Sequence, residues 1–182
     1  MASDPILLIW LFPLAFILHD LEELLLFEPW SKKNAGTILE RVRPRVPAFL
    51  EKQLGTVLNK STRQFAIPIA LIFILTCVSA WLAAQYGQYA FFLMAASLFF
   101  MHGFMHIGQA ILMQKYIPAL VTSLVVVLPY GIILFWNLLA SHITSLSVLL
   151  IYCVVAIINA VPFILMMHFI GETLDKKIMK LI

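Results

Sequence analysis

Charged residues are scarce in this chain, and their scarcity argues against a soluble protein. Only 12% of the 182 residues are charged, whereas 63% are hydrophobic. Average soluble domains are about 25% charged and about 45–50% apolar. The composition therefore predicts an integral membrane protein, and the length fits a single membrane domain over residues 1–182.

Cysteine is also rare, and several kinds of motif are missing. Both cysteines, Cys77 and Cys153, lie in apolar runs, which predicts free core thiols and gives no support for a disulfide or a cysteine zinc site. No internal repeat or nucleic-acid motif occurs, and topology and anionic lipid explain the basic residues without a nucleic-acid partner. The N-terminus lacks the positive start of a secretory signal, so we expect it to begin the first span.

Long apolar runs take the place of these features. A helix needs about 17–25 apolar residues to cross a bilayer. Five runs of that length are present, at residues 5–28, 65–86, 88–113, 118–140 and 145–170. The runs are too long for barrel strands and do not alternate, and backbone groups in lipid must be satisfied within their own segment. We therefore expect an all-α integral membrane helical bundle with five transmembrane helices.

Lysine and arginine are confined to three regions of the chain. All 12 lie in the loop 29–63, in the turn after the third span or in the tail 171–182. Five spans place these regions on one side, which the positive-inside rule assigns to the cytoplasm, with the N-terminus outside. Within the loop, "VPAFLEKQLGTVLNK" has apolar residues at helical spacing. It predicts an amphipathic helix that lies on the inner leaflet or packs on the bundle.

The polar residues inside the spans share one depth range. At about 1.5 Å per residue, His19 and His102 each lie about 21 Å from the outer end of their span, and His106 about 27 Å. His168 and Glu172 lie near the inner end of the fifth span. Ionisable groups in a span are costly and usually functional. These residues therefore mark the cytoplasmic half as the region of a site.

Three helices each carry a narrow polar stripe. Their members are separated by three, four or seven residues, which places each stripe on one helix face. The stripes are His19, Glu22 and Glu23 in the first span, His102, His106 and Gln109 in the third, and His168 with Glu172 in the fifth. We expect all three stripes to point inward at one site, with Asp20 capping or orienting the first.

Imidazole and carboxylate side chains together are typical ligands of zinc or non-haem iron. The candidate ligands are His19, Glu22, Glu23, His102, His106 and His168. They suffice for one divalent ion plus a carboxylate base, or for two bridged ions. Gln109 and Glu172 are expected to orient ligands. The competing interpretation is structural, since a membrane histidine often only bonds a neighbouring helix, and His168 with Glu172 can form an ordinary helix end.

The motif "HDLEE" at residues 19–23 resembles that of the HXXEE family of small bacterial and archaeal membrane proteins. A second block, "HIGQAILMQKYIPALVTSLVVVLPY", begins at His106 and adds Gln109, the Lys115-Tyr116-x-Pro118 turn and Thr122. The resemblance implies a multi-pass protein of a bacterial or archaeal cytoplasmic membrane, thought to be an enzyme because of its histidines and glutamates. The family often has asparagine where this chain has His102, which makes His102 an extra ligand or a substitute hydrogen-bonding group.

Four functions are consistent with such a site. The favoured one is a metal-dependent intramembrane hydrolase acting on a lipid or other apolar substrate, with Glu22 or Glu23 as the base. A di-iron oxidoreductase or hydroxylase acting on a lipid is the second. An ion- or proton-coupled transporter is the third. A haem-binding subunit with His19, His102 or His106 as axial ligand is the fourth. Assembly into a homo-oligomer stays open.

Overall fold

The computed structural model describes residues 4–180, and this part of the chain forms six α-helices and no strand. Five of them are long and apolar enough to span a membrane. The helices are α1 (Pro5–Val42), α2 (Ala48–Leu58), α3 (Thr62–Tyr86), α4 (Tyr89–Met113), α5 (Leu120–Ala140) and α6 (Leu146–Ile178). The predicted all-α membrane bundle with one additional amphipathic helix is confirmed.

Local sequence signals explain where the helices begin and end. Asp4 accepts a hydrogen bond from the backbone N–H of Ile6 at 2.9 Å, and Pro5 fills the first helical position. Such an N-cap satisfies a donor that has no partner within the helix. Ser61 and Gln64 form a capping box at the start of α3, and Gly87 ends that helix with a φ of 66°.

The first helix continues well beyond the predicted span end at residue 28. It includes Pro29, runs to Val42 and is followed by one turn of 3-10 helix at Arg43–Arg45. Contacts with the α4–α5 connection hold this extension, because the Trp30 indole donates to the Tyr116 carbonyl at 2.8 Å. The helix therefore continues past the end of the apolar run.

The predicted amphipathic helix forms as α2 and packs against the extension of α1. Gly55 faces Leu39, and Leu58 is buried. Leu54 and Val57 are partly buried in this contact, whereas Phe49 is 65% exposed. Part of the apolar face therefore packs on the bundle, and the part with Phe49 is free to contact the inner leaflet.

A π-helical segment interrupts α5 at Ser123–Val127. Gly103 of α4 lies against this segment, since a Cβ atom at Gly103 would come within 2.8 Å of Val127 Cγ1. Such segments are rare and are frequent near functional sites. The close approach brings the start of α5 beside the polar stripes of α1 and α4.

The regions rich in lysine and arginine lie at one end of the bundle, called the basic end below. Arg41 of α1 donates to the Met113 carbonyl at 3.0 Å, and Arg63 of α3 lies 3.4 Å from Asp175 near the end of α6. Many large apolar side chains cover the outside, among them Trp136, which is 71% exposed. An apolar exterior suits a helix bundle in lipid, and basic residues clustered on one side are typical of membrane proteins.

Candidate metal centre

Four of the predicted ligands meet between α1 and α4. His19, Glu23, His102 and His106 each offer one ligand atom, and these atoms all lie within 4.8 Å of one another. The Nε2 atoms of His102 and His106 are 2.8 Å apart, so one imidazole donates to the other. Glu23 Oε2 lies 3.9 Å from His102 Nε2. We call these four residues the ligand group.

The ligand group fits a zinc or iron ion by donor type and spacing. Zinc binds imidazole nitrogen at about 2.0–2.1 Å, so two such nitrogens on one tetrahedral ion lie about 3.4 Å apart. The observed separations of 2.8 and 3.9 Å bracket that value. His19 Nε2 is buried and has no hydrogen-bond partner among residues 4–180, which leaves its lone pair or proton for a ligand. Three imidazoles and one carboxylate form a donor set that both metals accept.

Thr122 orients His19. The Thr122 hydroxyl lies 3.1 Å from His19 Nδ1, and the ring packs edge-on against Phe99 at a centroid distance of 5.5 Å. Metal-binding histidines usually hold their second ring nitrogen in such a hydrogen bond, which fixes the ring and its tautomer. Because this contact occupies Nδ1, Nε2 is the ring nitrogen that remains for a ligand.

Glu22 lies outside the ligand group and binds the start of α5. Its carboxylate accepts hydrogen bonds from the Tyr116 hydroxyl at 2.5 Å, from the Thr122 N–H at 2.7 Å and from the Val121 N–H at 3.3 Å. The first N–H groups of a helix need such acceptors. Burial and the neighbouring carboxylate raise the pKa of Tyr116 above its usual value, so the hydroxyl stays a donor. Glu22 therefore holds Thr122, which in turn holds His19.

The stripe of α6 and the end of the α4 stripe are not brought into the ligand group. His168 is buried against Phe65 at a ring-centroid distance of 5.1 Å. Glu172 pairs with Lys176 at 2.8 Å, one turn along the same helix. Gln109 is exposed on the outer face of α4. Their shared depth with the ligand group was predicted, but none of the three belongs to that group.

Asp20 forms part of the wall of an apolar cavity next to the ligand group. The cavity has a volume of about 550 Å³ and lies among α1, α3, α4 and α6. Asp20 is only 6% exposed, and its Oδ2 has no hydrogen-bond partner among the described residues. His102 lines the same cavity, which therefore adjoins the ligand group.

Lys60 is a buried cation, although in the sequence it is only one of the basic residues of the loop 29–63. It is 7% exposed, and its ammonium group donates to the His168 carbonyl at 3.4 Å. Burial lowers the pKa of Lys60 below its ordinary value. No spacing signal in the sequence distinguishes this lysine from its exposed neighbours, because its burial depends on how α3 packs against α6.

A comparison with known protein families shows to which family the chain belongs. A family model described as "Protein of unknown function with HXXEE motif" matches residues 10–134, which include the ligand group, Glu22 and Thr122. No curated protein and no solved structure matches the chain. The match covers more than half of the sequence and both polar stripes that meet at the ligand group, so the chain belongs to the HXXEE motif family.

Proposed function

We propose that this protein is a metal-dependent membrane hydrolase that cleaves an ester or amide bond in a lipid or other apolar substrate. The observation that carries the proposal is the meeting of His19, Glu23, His102 and His106 within 4.8 Å inside an apolar bundle. Four such groups are costly to bury together unless they bind something. An apolar cavity reaches the same point, which favours an apolar substrate.

His19, His102 and His106 would hold one zinc or iron ion. When bound, the ion supplies a Lewis acid that polarises the bond to be cleaved and acidifies water. Thr122 fixes the ring of His19, and Glu22 fixes Thr122. A ligand set held in this way does not have to reorganise on binding the ion, which favours affinity.

Glu23 is the base in this proposal. Its carboxylate takes one proton from the attacking water while the remaining hydroxyl group bonds to the acyl carbon. The bond from that carbon to the leaving oxygen or nitrogen breaks, and the proton passes from Glu23 to the leaving atom. The products are a carboxylic acid and an alcohol or amine. Glu23 suits this role better than Glu22, because Glu22 accepts three hydrogen bonds at the start of α5.

The ligand group favours one ion over two. Of the further ligands that a second ion needs, Glu22 already accepts hydrogen bonds from Tyr116, Val121 and Thr122, and His168 lies outside the ligand group. A di-iron centre typically uses several carboxylates, whereas the ligand group contains one. This difference is the reason for preferring hydrolysis to oxygen chemistry.

The proposal extends to the location of the protein. The clustering of basic residues at one end favours a cytoplasmic position for that end in a bacterial or archaeal membrane. The ligand group then lies toward the cytoplasmic leaflet, because His19 and His106 lie past the midpoints of the apolar runs 5–28 and 88–113.

Metal analysis of the purified protein tests the centre. We expect about one equivalent of zinc or iron per chain, and its loss in His106→Ala. The matched control is His142→Ala, since His142 is exposed in the turn between α5 and α6. Wild-type protein without stoichiometric metal after metal-replete expression contradicts the proposal, as does equal metal in the two variants.

Isotope labelling tests the reaction. Protein reconstituted with membrane lipid extract in water labelled with heavy oxygen is expected to release acids that carry the label. We expect the release of labelled acid to be lost in His106→Ala and to persist in His142→Ala. A product that takes its oxygen from molecular oxygen instead assigns the centre to the oxidoreductase alternative and rejects hydrolysis.

A further inference from the structure

The cavity beside the ligand group is a second feature with its own chemistry. Its wall is formed mainly by hydrocarbon side chains from four helices, including Phe16, Leu75, Met94, Leu98 and Phe163. Small-molecule sites usually enclose about 300–1,000 Å³, and the volume of about 550 Å³ falls in that range. The cavity therefore has the size and lining of a binding site for an apolar molecule.

The cavity has the capacity for one long hydrocarbon chain. A water molecule takes about 30 Å³ of liquid volume, and a methylene group takes a similar share, so about 18 such groups fill the space. Met166 and Phe91 line the cavity and are also 48% and 38% exposed on the outer surface of the bundle. A chain can therefore enter from the surrounding lipid without crossing water.

The polar side chains in the cavity wall differ in whether they already have a hydrogen-bond partner. Thr76 donates to the Ile72 carbonyl at 2.9 Å, and Asn159 donates to the Val155 carbonyl at 2.8 Å. Asp20 Oδ2 is buried and finds no partner among residues 4–180. An unsatisfied buried oxygen is costly, and a ligand with an O–H or N–H group offsets that cost.

We propose that this cavity binds the hydrocarbon chain of a single-chain lipid whose polar end, a hydroxyl or an amide N–H, donates a hydrogen bond to Asp20. Because His102 belongs to both the cavity wall and the ligand group, the polar end of the chain lies next to the ligand group. The inference rests on the proposed function for its role as substrate binding. The binding itself needs only Asp20 and the apolar wall.

Photocrosslinking in lipid nanodiscs tests the binding. The probes are a long-chain alcohol, the primary amide and the methyl ester of the same chain length, each with a photoreactive group in the chain. We expect saturable labelling of wall residues on α3, α4 and α6. The alcohol and the amide should each bind about tenfold more tightly than the ester, because only they donate to Asp20. The better of the two shows whether a hydroxyl or an amide N–H makes the stronger hydrogen bond to Asp20.

Two variants and a control decide the outcome. Ala95→Phe fills the cavity and should abolish saturable labelling, whereas Ala70→Phe, a matched change on the exposed face of α3, should leave it intact. Asp20→Leu should remove the preference for donor probes while ester binding persists. Equal labelling in Ala95→Phe and Ala70→Phe overturns the proposal, and so does a donor preference that survives in Asp20→Leu.

The metal-free protein separates this proposal from the proposed function. Labelling should persist in His106→Ala, since neither the apolar wall nor Asp20 depends on a metal. Saturable labelling in a wild-type protein that holds no metal rejects the hydrolase and retains the lipid site. Stoichiometric metal without saturable labelling rejects the lipid site and retains the hydrolase.

Discussion

The three carboxylates of residues 20–23 lie in three different environments, although they share one turn of α1. Glu23 belongs to the ligand group, Glu22 binds the start of α5, and Asp20 lines the apolar cavity. Successive helix positions are rotated by about 100°, so neighbouring residues face different partners. The proposals above therefore give each carboxylate a separable contribution, with Glu23 as the base beside the ion, Glu22 as a support for Thr122 and Asp20 as a hydrogen-bond acceptor in the cavity.

Replacing the two glutamates one at a time separates two of these contributions. Glu23→Gln keeps all three histidines, so we expect metal content near wild type and acid release lowered by about 10²–10⁴ fold through loss of the base. Glu22→Gln places an amide N–H against donors, so metal affinity should fall by about 10–100 fold. Metal content and acid release from lipid are the two measurements. Loss of metal in Glu23→Gln would instead make Glu23 a ligand.

Lys60 is a site where burial opposes folding. Its lowered pKa means that the protonated side chain is more stable in the unfolded state, so its contribution to folding is unfavourable at neutral pH. Stability should rise as pH increases toward the unfolded value of about 10.4. We expect Lys60→Met to raise the midpoint of thermal unfolding and to remove this rise. Lys52→Met on the exposed side of α2 is the control. A midpoint of thermal unfolding for Lys60→Met that is equal to or below that of the unchanged protein contradicts the prediction that burial of Lys60 is destabilising.

At the scale of the helices, the apolar runs predicted the five spans because lipid burial alone determines them. The extension of α1 through Pro29 and the π-helical segment at Ser123–Val127 were not predictable in this way. Both depend on contacts between distant segments, namely Trp30 with Tyr116 and Gly103 with Val127. The ends and irregularities of helices are therefore set by tertiary packing that a single sequence does not display.

The contact of α4 with α5 predicts an effect of Gly103→Ala at the ligand group. A Cβ atom there meets Val127 at 2.8 Å and pushes apart the helices that carry His102 and Thr122. Gly108→Ala on the same helix meets nothing within 4 Å and serves as the control. A helical Gly→Ala change gains about 1 kcal/mol by itself, whereas overpacking costs about 1–3 kcal/mol.

Denaturant unfolding and metal titration compare the stability and the metal affinity of Gly103→Ala with those of Gly108→Ala. Gly103→Ala should therefore be less stable than Gly108→Ala by about 1–3 kcal/mol. It should also bind metal more weakly, because His19 and Thr122 shift relative to His102 and His106. Equal stability and equal metal affinity in the two variants would show that the close approach of α4 and α5 does not position the ligands.

At the scale of the whole molecule, the depth of each polar residue along its span was predictable from the sequence, whereas the rotation of each helix about its own axis was not. Counting residues along each span placed His19, His102, His106 and His168 at similar levels, and the first three meet at the ligand group. His168 lies at the predicted end of its helix but packs on Phe65. The rotation of α6 follows from its contacts with α3, including Gly171 against Pro68, and these contacts combine residues far apart in the chain.

The distribution of basic residues predicts the orientation of the whole bundle. All 12 lysines and arginines belong to residues 29–63, to the connection between α4 and α5 or to residues 171–182, and none lies in the turn at residues 87–88 or 141–145. Such a bias predicts a cytoplasmic position for the basic end, because translocating positive charge is unfavourable. In a chain with Cys77 and Cys153 replaced by serine, Gln88→Cys should react with an impermeant maleimide on intact cells. Lys177→Cys should react only after the cells are opened, and the reverse pattern would place the ligand group toward the outer leaflet.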